Sequence, residues 1–563
     1  MTRLRGWRPG RDRLAVRHPG PVGSGRAPEG SSVIVVGGGI AGLAAATGVA
    51  ERGVRVTLVE REPQLGGRVG AWPLDTVSSH DPVSSHDPVS SHDAVSSHDA
   101  ARSHHSGDSP GSVDADAGNG PRTMSRGFHA FFRQYYNLRG LLRRTDPALD
   151  RLRPIEDYPL ISADGMADSF ARIPRTPPFS FASFVAVSPS FTAASLAEVD
   201  VAAALELLTV RFPDTFAAYD GESAEAFLDR LRFPPAARHL ALEVFARSFF
   251  AHPSEFSAGE LVAMFHTYFL GSAEGLLFDV PTDDYDTALW APLGRYLHGL
   301  GVEVRTGVSV EHLASHADGV EVRLGDDATL TADACVLAAD PATTRRLGST
   351  CEFGGRDQPS THTEWSEQLT ATRNAPPFAV WRLWLDRPVH ADRPPFLGTS
   401  GFGPLDNVSL LEVFEDGAAD WRRRTGGSVV ELHAYALPYE LGDGEGEART
   451  RAQLRAELTR VYPETAPAQV LAEQWLVRDD CPLVGTGPWH LRPGVTTPDP
   501  RLVLAGDGVR CDFPVALMER AATTGFQAAN ALLERWGTAG HDLWTVPMAG
   551  RPPVGRAAAV LSR

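Results

Sequence analysis

The run Ser32-Val-Ile-Val-Val-Gly-Gly-Gly-Ile-Ala-Gly-Leu-Ala-Ala-Ala46 decides the fold, because it reads as a strand, a glycine turn and a helix in immediate succession. Val33 to Val36 are uninterrupted β-branched residues, as a strand buried on both faces requires. Gly37, Gly39 and Gly42 fit the spacing G-x-G-x-x-G. The first glycine makes the tight turn, the second lets the backbone approach a pyrophosphate, and the third lets helix pack on strand. Ile40 and Ala41 open an Ala-rich helix predicted to run to Ala50, with its N-terminus facing the phosphates. A second strand, Val54 to Val59, ends at Glu60, 18 residues beyond the last glycine. An acidic residue about there binds a ribose hydroxyl, and Glu rather than Arg favours a cofactor without a 2′-phosphate.

Outside that unit the composition narrows the class. The 563 residues allow two or three domains and a sizeable core. A net charge of −17 argues against nucleic-acid binding. Cys335, Cys351, Cys481 and Cys511 are scattered, which gives neither a disulfide framework nor a zinc site and fits a reducing cytoplasm. Near the C-terminal cofactor signal, Cys511 reads as an inert buried thiol. No apolar run reaches the ~18 residues of a membrane span. Arg3, Arg5, Arg8, Arg11, Arg13, Arg17 and Arg26 lie in the first 30 residues without a following hydrophobic stretch, so that part reads as a disordered basic tail rather than a secretory signal. Val77 to Asp99 holds four copies of V-S-S-H-D at a period of six, and a Gly/Asp/Ser run follows to about Gly120. Nothing there can build a core, so it reads as a disordered insertion in a surface loop. No metal site is predicted, although His80, His86, His92, His98, His104 and His105 offer adventitious ligands.

Two stretches carry a family resemblance. Glu60-Arg61-Glu-Pro-Gln-Leu-Gly66-Gly67-Arg68 resembles the E-x(5)-G-G-R extension of the flavin amine oxidase and carotene desaturase superfamily. There the second glycine pair passes close to the flavin diphosphate and the Arg supports it, so the resemblance implies FAD rather than NAD. Gly127-Phe-His129-Ala-Phe-Phe132, with Tyr136 and Asn137 after it, resembles the G-L-H-I-F-F-G-A-Y-x-N stretch of plant and cyanobacterial carotene desaturases. With Arg133 where those have Gly, Arg126 to Arg139 is more similar to the actinobacterial isorenieratene synthases, β-carotene desaturase/methyltransferases that aromatise the ionone ring. Arg501-Leu-Val-Leu-Ala-Gly506-Asp507, followed by Met518 and Glu519, resembles the superfamily's C-terminal FAD motif. Asp507 would take a ribitol or ribose hydroxyl, and a helix from near Pro514 to Trp536 would point its positive end at the flavin pyrimidine. A Val after the turn in 301–310 lends its backbone to the adenine in the superfamily; Val308 matches best, with Val310 as the alternative.

The predicted fold class is α/β. A Rossmann-type FAD-binding domain, discontinuous in sequence, carries an α+β substrate domain, as in flavin amine oxidases and phytoene desaturases. The FAD domain is placed at 32–75, 281–345 and 495–540, the mainly helical part of the substrate domain at 122–280 and its sheet at 346–494. The tails are placed at 1–31 and 541–563 and the insert at 76–121. Ser195 to Glu198 reads as a capping box opening a helix through Val210, and 177–189 as apolar but short of helix length. Phe179, Phe181, Phe184 and Val185 are the predicted entrance at a membrane surface.

The resemblance implies an FAD-dependent oxidoreductase, with non-covalent FAD, that desaturates a carotenoid and aromatises the β-ionone ring with a 1,2-methyl shift. His129 or Glu519 would receive a proton; Glu519 reads equally as a structural residue near a helix start. The alternatives are a linear carotene desaturase, a redox-neutral carotene isomerase, a flavin amine oxidase and a non-catalytic flavin-binding partner protein. The expected setting is cytoplasmic, peripheral on the inner face of the cell membrane.

Overall fold

A parallel sheet of five strands carries the glycine fingerprint at its centre. Its order is Glu303–Arg305, Arg55–Val59, Ser32–Val36, Ala334–Leu337 and Leu502–Leu504. The computed structural model describes residues 12–74, 121–171, 173–174, 176–177, 179–238, 249–353, 359–438 and 444–550. Val33 and Val35 pack into one core and Ile34 and Val36 into another, which is why this strand tolerates no polar residue after Ser32. The helix Ile40–Ala50 covers one face and is buried along its whole length. On it lies the C-terminal helix Leu517–Arg535. The two approach so closely that a Cβ on Gly525 would stand 2.3 Å from the Ala41 carbonyl oxygen.

The other large sheet has seven strands, in the order Val470–Arg478, Phe378–Leu385, Ser428–Ala434, Asn407–Leu410, Phe396–Ser400, Leu160–Ser162 and Ala167–Asp168. All eight residues of Phe378–Leu385 are buried, so both faces of this sheet are covered. One face packs against the helix Gly444–Val461 through Leu454 and Leu458. The opposite face looks toward the glycine turn. Short helices from 179 to 270 close the side. No described helix is long and apolar enough to cross a membrane.

Four expectations need correction. The N-terminal tail is structured from Asp12: Val16–His18 pairs with Leu543–Thr545, so the 541–563 tail is also structured as far as residue 550. Asp12 is buried and accepts a hydrogen bond from the Tyr136 hydroxyl at 2.7 Å. The capping box begins at Thr192, with Ser195 as its third helical residue, and the helix stops at Glu198. Phe179–Val187 is a helix, stabilised by the apolar surface it lies on rather than by length. Residues 75–120, including the His repeat, lie outside the described residues. The strands flanking them, Ala71–Leu74 and Arg122–Ser125, form an antiparallel pair with Leu74 opposite Arg122.

Candidate active site

Two glycine turns lie against each other at the ends of the central strands. Gly66 donates its N–H to the Gly38 carbonyl at 2.9 Å. Gly66 has φ +107°, a conformation that favours glycine, and a Cβ there would meet the Trp290 indole nitrogen at 2.4 Å. Gly42 packs helix on strand, since a Cβ would come 1.9 Å from the Gly37 carbonyl oxygen. The result is a floor without side chains, open to a cavity of about 400 Å³.

That cavity is lined by Gly37, Gly39, Ile40, Ala41, Glu60, Arg61, Gly66, Gly67, Arg68, Val308, Gly506, Asp507 and Met518. Every predicted cofactor residue except Gly42 reaches it, and Gly42 serves the packing instead. Val310 lines it as well. Glu60 accepts from the Gly38 N–H at 2.5 Å and the Glu62 N–H at 2.8 Å, while burial pushes its carboxyl up. The Val308 N–H is committed to the Glu60 carbonyl at 3.0 Å. Arg68 grips Asp507 through two hydrogen bonds, at 2.8 and 2.5 Å, across 439 residues of sequence. The lone pairs predicted to meet a cofactor hydroxyl are therefore shared with a cation. The helix Leu517–Arg535 starts at the cavity wall, with Leu517 at φ +52°. A side-chain-free floor, two helix N-termini, a carboxylate at the ribose end and an Arg–Asp pair fit FAD. Cys511 is buried with its thiol pushed up to about 12 by burial, which makes it inert.

Beyond Met518 the cavity becomes aromatic, with Phe128, Phe132, Tyr158, Phe250, Phe278 and Phe396 in its wall. Phe128 stacks on Phe396 with centroids 4.4 Å apart. His129 lines this part too. Its Nδ1 lies 2.8 Å from the Gly127 carbonyl oxygen, which can only accept, so Nδ1 carries the hydrogen and Nε2 keeps a lone pair. Burial pushes the ring down to about 4, so it is neutral at pH 7.

Glu519 does not reach the cavity. Its two carboxyl oxygens accept from the Asn137 and Leu138 N–H groups at 2.8 and 2.9 Å, capping the helix Tyr136–Leu142. This corrects its candidacy as a proton acceptor: in the first turn of the helix, the side chain points into the core rather than at the site.

Sequence reasoning missed a polar group on the sheet floor. His433, Tyr435 and Asn407 line the cavity, with Glu431 beneath them. Glu431 accepts from Arg382 Nε at 2.9 Å and Nη2 at 2.7 Å. Burial works to raise the Glu431 carboxyl, but the Arg382 guanidinium outweighs it and holds it down to about 2. Arg126 and Asp480, paired at 2.5 Å, form a second charged group in the wall. Only alternation along residues 431, 433 and 435 could have signalled the first group. Nothing local signals the second.

A dinucleotide floor joined to a chamber with an aromatic wall defines the class: an FAD-dependent oxidoreductase. The model of the flavin-containing amine oxidoreductases matches residues 110–533, and that of an NAD(P)-binding Rossmann-like domain matches residues 35–90. The chain belongs to the flavin-containing amine oxidoreductase family. It is 51% identical to the carotenoid phi-ring synthase of Streptomyces griseus, over 99% of this chain and 98% of that one. It is 26% identical to the carotenoid phi-ring synthase of Chlorobaculum tepidum, over 92% and 90%. Among solved structures, the cyclohexylamine oxidase of Brevibacterium oxydans matches with a TM-score of 0.61 at 14% identity, over 90% of this chain and 99% of that one. Wild-type putrescine oxidase bound to putrescine matches at 0.59 and 14%, over 90% and 99%. These two likenesses concern the fold.

Proposed function

We propose that this chain oxidises the ring of a cyclic carotene, with β-carotene as substrate, and aromatises it with a 1,2-methyl shift. The observation that carries the reading is the continuity of the aromatic chamber with the FAD floor, in a chain 51% identical to a carotenoid phi-ring synthase. Bound non-covalently, FAD supplies the hydride acceptor. The protein does the rest by shape and charge. Phe128, Phe278 and Phe396 hold a polyene that offers no charge to grip. The aromatic wall shields a cationic ring from water. A cation next to the gem-dimethyl carbon invites methyl migration, and proton loss then completes the aromatic ring. By valence counting, each ring loses four hydrogens.

Substrate entry bears on location. Phe179 and Val187 are 66% and 62% exposed on one short helix, beside Ala182 and Ala186. We place this helix against the inner face of the cell membrane. Phe184 is not part of that entrance, because it is buried and stacks on Phe170 at 5.1 Å. Val185 is half-buried, and the Phe181 side chain lies outside the described residues.

The test is expression in a host that makes β-carotene, with pigments read by absorption and mass. Loss of four hydrogens per ring is expected. Unchanged β-carotene beside conversion of a linear precursor would move the assignment to the linear desaturases. Acid precipitation should release the flavin, and a yellow pellet would overturn non-covalent binding.

A further inference from the structure

Glu431 and His433, at alternate positions on the strand Ser428–Ala434, and Tyr435, just past its end, connect the chamber to a buried ion pair. Register sets the connection. Glu431 lies opposite Arg382 on the neighbouring strand, and His433 lies opposite Asn407 on the other side. The Tyr435 oxygen receives the Asn407 Nδ2–H at 3.1 Å and stands 2.6 Å from His433 Nδ1. At the far side of the ring, His433 Nε2 lies 2.9 Å from Glu431 Oε1. The Phe128 N–H approaches the same nitrogen at 3.2 Å. The carboxylate, ionised by Arg382, accepts only, and its charge-assisted bond at 2.9 Å outcompetes the longer Phe128 N–H contact for the same nitrogen: Nε2 carries the hydrogen, the Phe128 bond is given up, and Nδ1 is left to accept the Tyr435 hydroxyl. The line from chamber to core is therefore Tyr435 O–H to His433, and His433 N–H to Glu431.

Such a line has no place in a purely apolar floor. Arg382 and Glu431 are 1% and 0% exposed, and burying an ion pair costs desolvation that apolar residues would avoid. Gly127 is glycine where a Cβ would stand 2.7 Å from His433 Cε1, so the loop bearing His129 lies directly on the His433 ring. Two histidines thus flank one end of the chamber, and among the described residues only His433 has a carboxylate at hydrogen-bond distance. His129 spends its N–H on a carbonyl and meets the edge of Tyr285. A proton on His129 would sit without a counter-ion in contact, whereas a proton on His433 would sit against Glu431.

We propose that the proton released during ring oxidation leaves through Tyr435 and is held on His433, with Glu431 as its counter-ion. This rests on the ring-oxidation reading above. With FAD bound to supply the hydride acceptor, a ring C–H bond would break and its electron pair would leave with the hydrogen as hydride. A neighbouring C–H bond then breaks, its pair stays to form the C=C bond, and the proton bonds to the Tyr435 oxygen. The hydrogen Tyr435 already carried moves to His433 Nδ1. Electrons balance: the two that leave the substrate are the two that bound FAD would accept. Tyr435 is the catalytic residue of this line; His433 stores the proton, and Glu431 and Arg382 position it.

The experiment uses the full-length FAD-loaded protein and β-carotene without oxygen, with a soluble quinone acceptor added once the flavin has bleached, because one flavin takes one hydride and each ring gives up four hydrogens. In wild type, flavin bleaching is expected before the acceptor is added and aromatic product after it, with a solvent deuterium effect on product formation because an exchangeable proton is in flight. Tyr435→Phe, which removes one oxygen, should keep its FAD content but form aromatic product about 10²-fold more slowly, with the solvent effect gone. His433→Asn should behave likewise, and a merely structural tyrosine would leave the solvent effect in place. Tyr435→Phe and His433→Asn forming product at wild-type rate with the solvent effect unchanged overturns the relay while leaving ring oxidation standing. The same holds if His129→Ala alone abolishes product. Wild type that neither bleaches nor converts β-carotene overturns the ring-oxidation reading and the relay with it.

Discussion

Gly66→Ala puts the site geometry to its sharpest test. The residue sits in the turn that carries Gly67 and Arg68, at φ +107°. A methyl there would stand 2.4 Å from Trp290 Nε1 and 2.9 Å from the Val69 carbonyl oxygen, the two ends of a 2.6 Å hydrogen bond. Trp290 is fully buried, so the ring cannot swing into solvent. The backbone conformation costs about 1–3 kcal/mol for a non-glycine residue. Forcing the methyl into packed space costs about 1–3 kcal/mol more. Opening the indole bond leaves a buried donor unpaired, at about 1–3 kcal/mol. These terms overlap, so a total of roughly 3–6 kcal/mol is expected, a large part of the ~5–15 kcal/mol that holds a protein folded. The assay is thermal melting together with FAD content after gel filtration. Gly299→Ala is the control: that exposed glycine has open space at its Cβ and no left-handed φ, so it should be neutral or gain up to about 1 kcal/mol. Gly66→Ala melting within about 2 °C of wild type and keeping full FAD would refute the reasoning, since even 1 kcal/mol shifts a domain of 150–250 residues by ~2–4 °C.

Other outcomes follow from single groups. Burial pushes the Glu519 carboxyl up to about 8, so the folded state holds its proton where the unfolded chain has lost it. Its contribution to stability is thus present below the usual carboxylate range and lost as pH rises toward about 8; Glu519→Gln should flatten that slope in denaturant midpoints measured from pH 5 to 8, and an unchanged slope would count against it. Phe179→Ser with Val187→Ser should lower binding to anionic vesicles about tenfold or more at unchanged melting temperature, given ~1.5–3 kcal/mol for burying each side chain; equal binding would remove this helix from the membrane contact. Deleting residues 77–118 should leave soluble holoprotein with its activity, because Leu74 and Arg122 already lie side by side. Loss of the holoprotein would give the insert a structural role.

What the sequence disclosed and what it hid divide by distance along the chain. The strand, glycine turn and helix of 32–50 could be read because each step is local: β-branched run, glycine spacing, alanine helix. Glu60, Gly66, Gly67 and Arg68 follow within the same unit. His433 and Tyr435 could not be assigned, because their meaning depends on Arg382 and Asn407, which reach them only through sheet register. The pairing of Val16–His18 with Leu543–Thr545 joins segments more than 500 residues apart, so an arginine-rich start looked like a plain tail. Glu519 misled for another reason. Its place in a cofactor motif says nothing about which side of the helix it faces, and burial against Asn137 and Leu138 settles that.

The order of strands in the central sheet also governs how the protein comes into being. The fingerprint strand is completed on one side by Ala334–Leu337, which in turn needs Leu502–Leu504, and the cofactor floor closes only with Asp507. At about 5–20 residues per second, a ribosome needs roughly 25–90 seconds after making the first glycine turn to deliver that aspartate. Throughout that interval the helix Ile40–Ala50, which in the finished protein is buried along its whole length, lacks its main cover, the helix Leu517–Arg535. FAD capture is therefore a late event in the life of the nascent chain, and whatever shelters that helix beforehand sets the yield of holoenzyme.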